Sequence, residues 1–411
     1  MHDGSLATPV TARFNRKRNA IVAAATEILN RRGVRGMTLA LVAERVGLIT
    51  TSVTYYFKKK DELAAACFQS GIARLMALID EARGEPTVSA RVRRLLELYI
   101  GLRARIAAGE APPISVFSDI RALSAEHFHP TATAYAEMFR AVRRLFRAPG
   151  GPTLGRGQAT ARAQILLEQI HWLETWLPRR DAHDYDRVCE RMHDILAGGL
   201  AIKAAVWSPA PIALAAPVVA VPAASNSGDA FLLAATRLIN QRGYHGASVE
   251  LISASLNVTK GSFYHHHSAK DDVVLACFER SFDVVRRAQL AARALSGDAW
   301  LKLTSAAAAL VEFQFSSAGP LLRSSALAAL PETIRGEMIE QSGRLSDRFA
   351  AMISDGVSEG SLRPVDPFIA AQMLTASLNA AADLPILLRG VEARVAVSFY
   401  ARPFFMGLTS A

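Results

Sequence analysis

Apolar residues recur along this chain at helical spacing, and the spacing predicts helices almost from end to end. Ile21, Ala24, Ala25, Ile28 and Leu29 follow the i, i+3, i+4, i+7, i+8 rule for a helix with one buried face. Gly33 stands where that helix should stop. Thr38 is a fitting N-cap for a second, short helix that turns Val42 and Val46 inward. Gly47 then supplies a turn that needs positive φ. A third short helix follows, in which Val53 and Phe57 are the apolar anchors while Thr50, Thr51, Ser52 and Thr54 are small and hydroxylated. Ile49 is a poor cap, so Thr50 or Thr51 is expected to take that role. Two tyrosines (Tyr55, Tyr56) and three lysines (Lys58, Lys59, Lys60) come next. Two short helices joined by a three-residue turn make a helix-turn-helix pattern. A helix with an apolar edge and an edge of hydroxyls, phenols and ammonium groups suits a phosphate-lined groove.

From Gly71 to about Val206 the helical pattern continues, broken at Pro and Gly. Leu166, Ile170, Leu173 and Leu177 form one stripe, widened by Trp172 and Trp176. Val188, Met192, Ile195, Leu196, Gly199 and Ile202 form another, and small Gly198 and Gly199 would let a partner helix come close. Residues 207–227 read as a Pro- and Ala-rich linker, able to reach on the order of 50–60 Å if stretched as polyproline II. Beyond it the first segment returns at a constant offset of 210 residues. Asn30, Arg32, Gly33 and Gly36 recur as Asn240, Arg242, Gly243 and Gly246, Thr38 as Ser248, Lys60 and Asp61 as Lys270 and Asp271, and Cys67 as Cys277. No gap is needed between residues 18–68 and 228–278, so the chain carries an internal duplication. In the last part, Asp366 and Pro367 form an N-cap and first position for another long helix.

Composition narrows the function. At 411 residues, with 51% apolar residues, the chain can bury more than one core. A net charge of +10 and a pI near 9.8 favour a polyanionic partner. Cys67, Cys189 and Cys277 stand far apart and read as small buried hydrophobes in a reducing compartment. No secretory signal opens the chain. Its longest uncharged stretch, 204–227, holds four prolines, which argues against a membrane helix. His265, His266 and His267 point about 100° apart on a helix and have no His or Cys partner at ligand spacing, so no metal site is assigned. There is no nucleophile–base motif, phosphate-binding glycine loop or cofactor motif, and the chain is read as a non-enzyme.

Residues 18–68 resemble the N-terminal domain of the TetR family of transcriptional regulators. The resemblance rests on Arg31 and Gly33, Gly36 and Thr38, the turn glycine Gly47, Phe57, and Lys60 with Leu63. Thr54 stands at the family's usual tyrosine position, with Tyr55 and Tyr56 just after it. The second copy meets that position with Tyr264 and the cap with Thr259. It replaces the turn glycine with Asn257, the anchoring Phe with His267, and the leucine with Val273, which predicts a less stable head.

The resemblance implies an all-α fold of two units, each with a three-helix DNA-binding head and a helical-bundle body for effector binding and dimerisation. The expected divisions are a basic N-terminal arm (1–17), head 1 (18–68), body 1 (69–206), the linker (207–227), head 2 (228–278) and body 2 (279–411). Phosphates would meet Thr38, Tyr55 and Lys60 in head 1 and Ser248, Tyr264 and Lys270 in head 2. Bases would be read by Thr50, Thr51 and Thr54 in one head and by Lys260, Ser262 and His265 in the other, with Thr259 as the second cap. The resulting expectation is a cytoplasmic, ligand-responsive repressor that binds double-stranded operator DNA and a small apolar effector. It would act as an intramolecular pseudo-dimer or a homodimer. The alternatives are a regulator or scaffold in which only the first head engages DNA, and an activator.

Overall fold

The structure is a computed structural model that describes residues 9–149, 151–214, 226–255, 270–330 and 332–410. Among these residues it contains helices and no strand, apart from one isolated bridge between Ala201 and Leu362. In unit 1 the helices are α1 (Pro9–Gly36), α2 (Leu39–Arg45), α3 (Thr50–Tyr56), α4 (Lys60–Arg83), α5 (Val88–Ala107), α6 (Ala125–Leu145), α7 (Arg156–Trp176) and α8 (Tyr185–Gly198). A 3-10 turn, Phe117–Ala122, precedes α6. Unit 2 has α9 (Asn226–Gly246), α10 (Val249–Ser255), α11 (Lys270–Arg293), α12 (Ala299–Phe313), α13 (Glu332–Glu359), α14 (Pro367–Ala380), the short α15 (Leu384–Leu387) and α16 (Ala393–Met406). Its 3-10 turn is Ser324–Ala329.

Local sequence accounts for most boundaries. Thr38 caps α2, its hydroxyl accepting from the Leu41 N–H at 3.2 Å. Gly47 turns at φ +66°, and Asp366 caps α14 by accepting from the Phe368 and Ile369 N–H groups. α1 bends at Gly33 (φ 66°, ψ 177°), and α9 repeats the bend at Gly243 (φ 73°, ψ 167°). The cap of α3 differs from expectation. Ile49 occupies it with no side-chain bond, and neither Thr50 nor Thr51 replaces it. The basic stretch before residue 18 also differs. Residues 9–17 continue α1 as helix and are not a separate arm, because nothing between Pro9 and Gly33 breaks the helix.

The two bodies pack on each other. α7 and α8 lie against α14 and α16, giving a four-helix junction between the units. Trp172 donates to Gln372, and Gln169 donates to Met373 O and Ser377 Oγ. Buried Arg162 donates to Leu408 O at 3.0 Å and Ser410 O at 2.7 Å. Arg363 holds both Asp194 oxygens and Gly199 O, closing the C-terminus of α8. Gly199 (φ +68°) has no room for a side chain, since a Cβ there would sit 2.2 Å from Phe405 O. The described part of the linker is not a free spacer: Leu214 is buried, Trp207 packs on Phe405, and the Ala210 N–H donates to Ser305. Its apolar side chains find body 2 within reach, which holds residues 207–214 against that body. One described helix, α4, is long and apolar enough to cross a membrane, and half of that stretch is buried in the core of unit 1.

Candidate functional site

Head 1 presents α3 as the sequence suggests. Val53 and Phe57 are fully buried, which fixes the opposite edge outward. On that edge Thr50 and Thr51 are exposed, Tyr55 is 68% exposed, and Thr54 is half-buried with its hydroxyl donating to Thr51 O. The α1 extension takes part here. Phe14 packs on Tyr56 (centroids 4.8 Å) and edge-on to Tyr55 (6.1 Å), while the Arg18 guanidinium lies 5.1 Å from the Phe57 ring. Phe14 was missed in the sequence because it precedes the first periodic stretch.

The three lysines divide. Lys58 and Lys59 are exposed. Lys60 turns its ammonium to the carbonyls of Val34 (3.3 Å) and Arg35 (3.2 Å), joining the start of α4 to the end of α1. Lys270 does the same in unit 2, donating to Tyr244 O and lying 4.2 Å from the Tyr244 ring. Burial, reinforced by the nearby Arg35 charge, pulls the Lys270 ammonium down to about 8. Ser248 accepts from the Leu251 N–H, the counterpart of the Thr38 cap. Thr259, Lys260, Ser262, Tyr264 and His265 lie outside the described residues, as do Asn257, His266 and His267. No group of three or more His, Cys, Asp or Glu able to hold a metal occurs among the described residues. Cys67, Cys189 and Cys277 are buried, and burial pushes their thiols up to about 12, 12 and 11.

Body 1 and the facing residues of unit 2 line a cavity of about 550 Å³, within the range of small-molecule sites. Its apolar walls include Leu75, Phe117, Phe128, Tyr135, Phe139 and Leu167. α7 lines it from Arg156 through Gln164 and Glu168 to His171 and Glu174, a stretch of about 27 Å at 1.5 Å per residue. The space is therefore a slot. At one end Arg140, Arg143 and Arg156 line it. Burial, with repulsion from Arg156, Arg147, Arg140 and Arg144, holds the Arg143 guanidinium below its usual value. Among the described residues, the ion pair of this group is with Glu137, 3.6 Å from Arg140.

In the middle, unit 2 reaches in. The Arg323 guanidinium bonds Asp383 and, at 3.1 Å, Glu168 on α7. Burial works against the charge of Arg323, but Asp383 and Glu168 outweigh it and hold the guanidinium above its usual value. Burial raises Glu168, with Arg323 opposing. Burial and the Arg323 charge push His171 down to about 4, so it is a neutral imidazole near pH 7, and its Nε2 has no hydrogen-bond partner among the described residues. These four residues are scattered over both units, so no local motif could have united them.

A helix-turn-helix head on a helical body, followed by the start of a second, defines a DNA-binding regulator class. The family described as "Bacterial regulatory proteins, tetR family" matches residues 21–67 and again 231–277, so the chain carries two tetR-family helix-turn-helix segments in tandem. Among solved structures, AibR in complex with isovaleryl coenzyme A and operator DNA is similar at 15% identity. That alignment covers 44% of this chain and 97% of AibR, with a TM-score of 0.37. PfmR, a TetR family regulator from Thermus thermophilus, is similar at 18% identity (43% of this chain, 94% of PfmR, TM-score 0.35). FadR from Bacillus subtilis in complex with stearoyl-CoA is similar at 16% (42% and 95%, TM-score 0.33). No curated protein matches the chain.

Proposed function

We propose that the chain is a cytoplasmic, effector-released repressor whose two heads sit on one duplex while a single polypeptide supplies both halves of the dimer. The observation that carries DNA binding is the exposed edge of α3, held outward by buried Val53 and Phe57. Thr50, Thr51 and Thr54 read base edges. Thr38 and Tyr55, with the exposed ammoniums of Lys58 and Lys59, meet phosphates, and Lys60 keeps α4 seated on α1. In head 2 the same work falls to Ser248, Thr259, Lys260, Ser262, Tyr264 and His265, with Lys270 as the seating lysine. The four-helix junction of α7, α8, α14 and α16 supports pairing within one chain, since it occupies the faces a second chain would need.

The slot of body 1 is the effector site. Apolar walls with an arginine group at one end suit an amphiphile whose anionic group lies by Arg140, Arg143 and Arg156. The effector must bind the DNA-free state more tightly, since otherwise it moves no equilibrium.

Selection from a random duplex pool tests the reading. Enrichment of two unlike half-sites about one helical turn, or a multiple, apart, with light scattering giving one chain per duplex, supports it. A pool with no enriched sequence rejects DNA binding, and two chains per duplex rejects the intramolecular dimer.

A further inference from the structure

The slot lies between body 1 and unit 2, and α1 of head 1 reaches it only at second hand, through Asn30 bonded to Ile114 and Val116 and the Val34 N–H bonded to Asp119. The head helix that does line it is α9 of the second unit, through Ile239, Asn240, Gly243 and Tyr244. We propose that the effector bound in the slot acts chiefly on head 2, whose α9 lines it directly, and more weakly on head 1, which is joined only to wall residues. The proposal rests on the slot being the effector site.

Two joints carry the signal. Arg121, on the 3-10 turn of body 1 and in the slot wall, donates to Asn240 O (2.6 Å) and Gln241 O (2.9 Å). These carbonyls lie just before the bend of α9 at Gly243. Arg323, drawn into the slot by Glu168, gives its backbone N–H to the Asn240 side chain at 3.0 Å. Both joints meet head 2 at Asn240. Tyr244 then relays any displacement. It is at once slot wall, acceptor for Lys270 and donor to Asp271, the two residues that begin α11. A ligand that presses on Tyr244 therefore tilts α9, against which α10 packs, relative to α11.

Body 2 also borders a much smaller space of its own. Its apolar gap beside Phe278, Phe282 and Leu345 holds about 50 Å³, too little for an organic ligand.

Hydrogen exchange on the full chain tests the coupling, with sodium dodecanoate as probe and calorimetry to record its binding. At saturation, amides in 239–250 should change their exchange by roughly fivefold or more, the low end of allosteric coupling, and those in 29–38 by less than about twofold. A change confined to 29–38, an equal change in both, or none with the probe bound overturns the proposal. Absence of binding heat counts against the ligand class alone, because two further arms need no ligand. Ala132→Phe fills the slot from α6 and should reproduce the change in 239–250. Arg121→Ala, on an exposed residue, should speed exchange in 239–250 of the free protein and spare 29–38. If both variants leave 239–250 unchanged, the coupling is refuted whatever the effector is.

Discussion

In unit 1 the Asn30 side chain clasps the backbone of Ile114 and Val116, and in unit 2 Asn240 clasps Leu321 and Arg323 in the same way. Cys67 donates to Val22 O and Cys277 to Leu232 O, partners displaced by the same 210 residues. Lys60 and Lys270 each cap the end of their own head's first helix. The joints between head and body have thus kept their geometry. What differs is the side chain carried at the clasp. Val116 faces the slot of its own body, whereas the corresponding Arg323 crosses into the slot of the other unit. A single residue type at one shared backbone joint turns two equal units into a sensing body and a body that reports on it.

The largest expected effect tests that crossing. Arg323→Met leaves Glu168 and Asp383 facing each other without a counter-charge, at a cost of about 3–5 kcal/mol. Urea unfolding should show it, and adding Glu168→Gln should recover much of the loss. The reciprocal change, Val116→Met, replaces one half-buried apolar side chain by another and should stay within about 1 kcal/mol. If the two variants behave alike, the asymmetry between the units is not energetic.

Next come the clasps. Asn30→Ala and Asn240→Ala each remove two bonds to largely buried backbone groups, and each should cost about 2 kcal/mol. Equal costs would confirm that both heads are held by one device. A much smaller cost at Asn240 would mean that head 2 already rests loosely on its body.

A comparable effect depends on pH. His171 is held near 4 in the fold against 6.5 in the unfolded chain, so between those values the unfolded chain binds more protons and folding weakens as pH falls. The contribution is complete above about 6.5 and gone below about 4. His171→Phe should flatten this window, improving stability at pH 4 by about 3 kcal/mol relative to pH 7. A parallel acid profile in both proteins would place the imidazole in a more hydrated setting.

Much of this was legible in advance because it is local. Gly33, Thr38, Gly47 and Asp366 act on their own few neighbours, and the 210-residue repeat announces the second unit without any geometry. The long-range chemistry was not legible. Glu168, His171, Arg323 and Asp383 meet only because two bodies fold against each other. The linker composition pointed away from that contact, since prolines advertise reach and say nothing about the apolar wall that captures residues 207–214. Lys60 shows a finer limit. Its position beside Lys58 and Lys59 groups the three by charge, yet the start of α4 turns only Lys60 toward the carbonyls of Val34 and Arg35.

That difference among three adjacent lysines gives the smallest and sharpest prediction. Binding that neutralises phosphates depends on salt, and each lost phosphate contact lowers the slope of log K against log salt by about 0.9. Lys58→Ala and Lys59→Ala should each reduce the slope by about that amount, because their ammoniums are exposed beside α3. Lys60→Ala should leave the slope unchanged and instead cost on the order of 1 kcal/mol of stability, since its ammonium serves the end of α1. A full loss of slope at Lys60 with none at Lys58 or Lys59 would mean that DNA draws the ammonium off Val34 and Arg35. The seating bond would then be a feature of the free head alone.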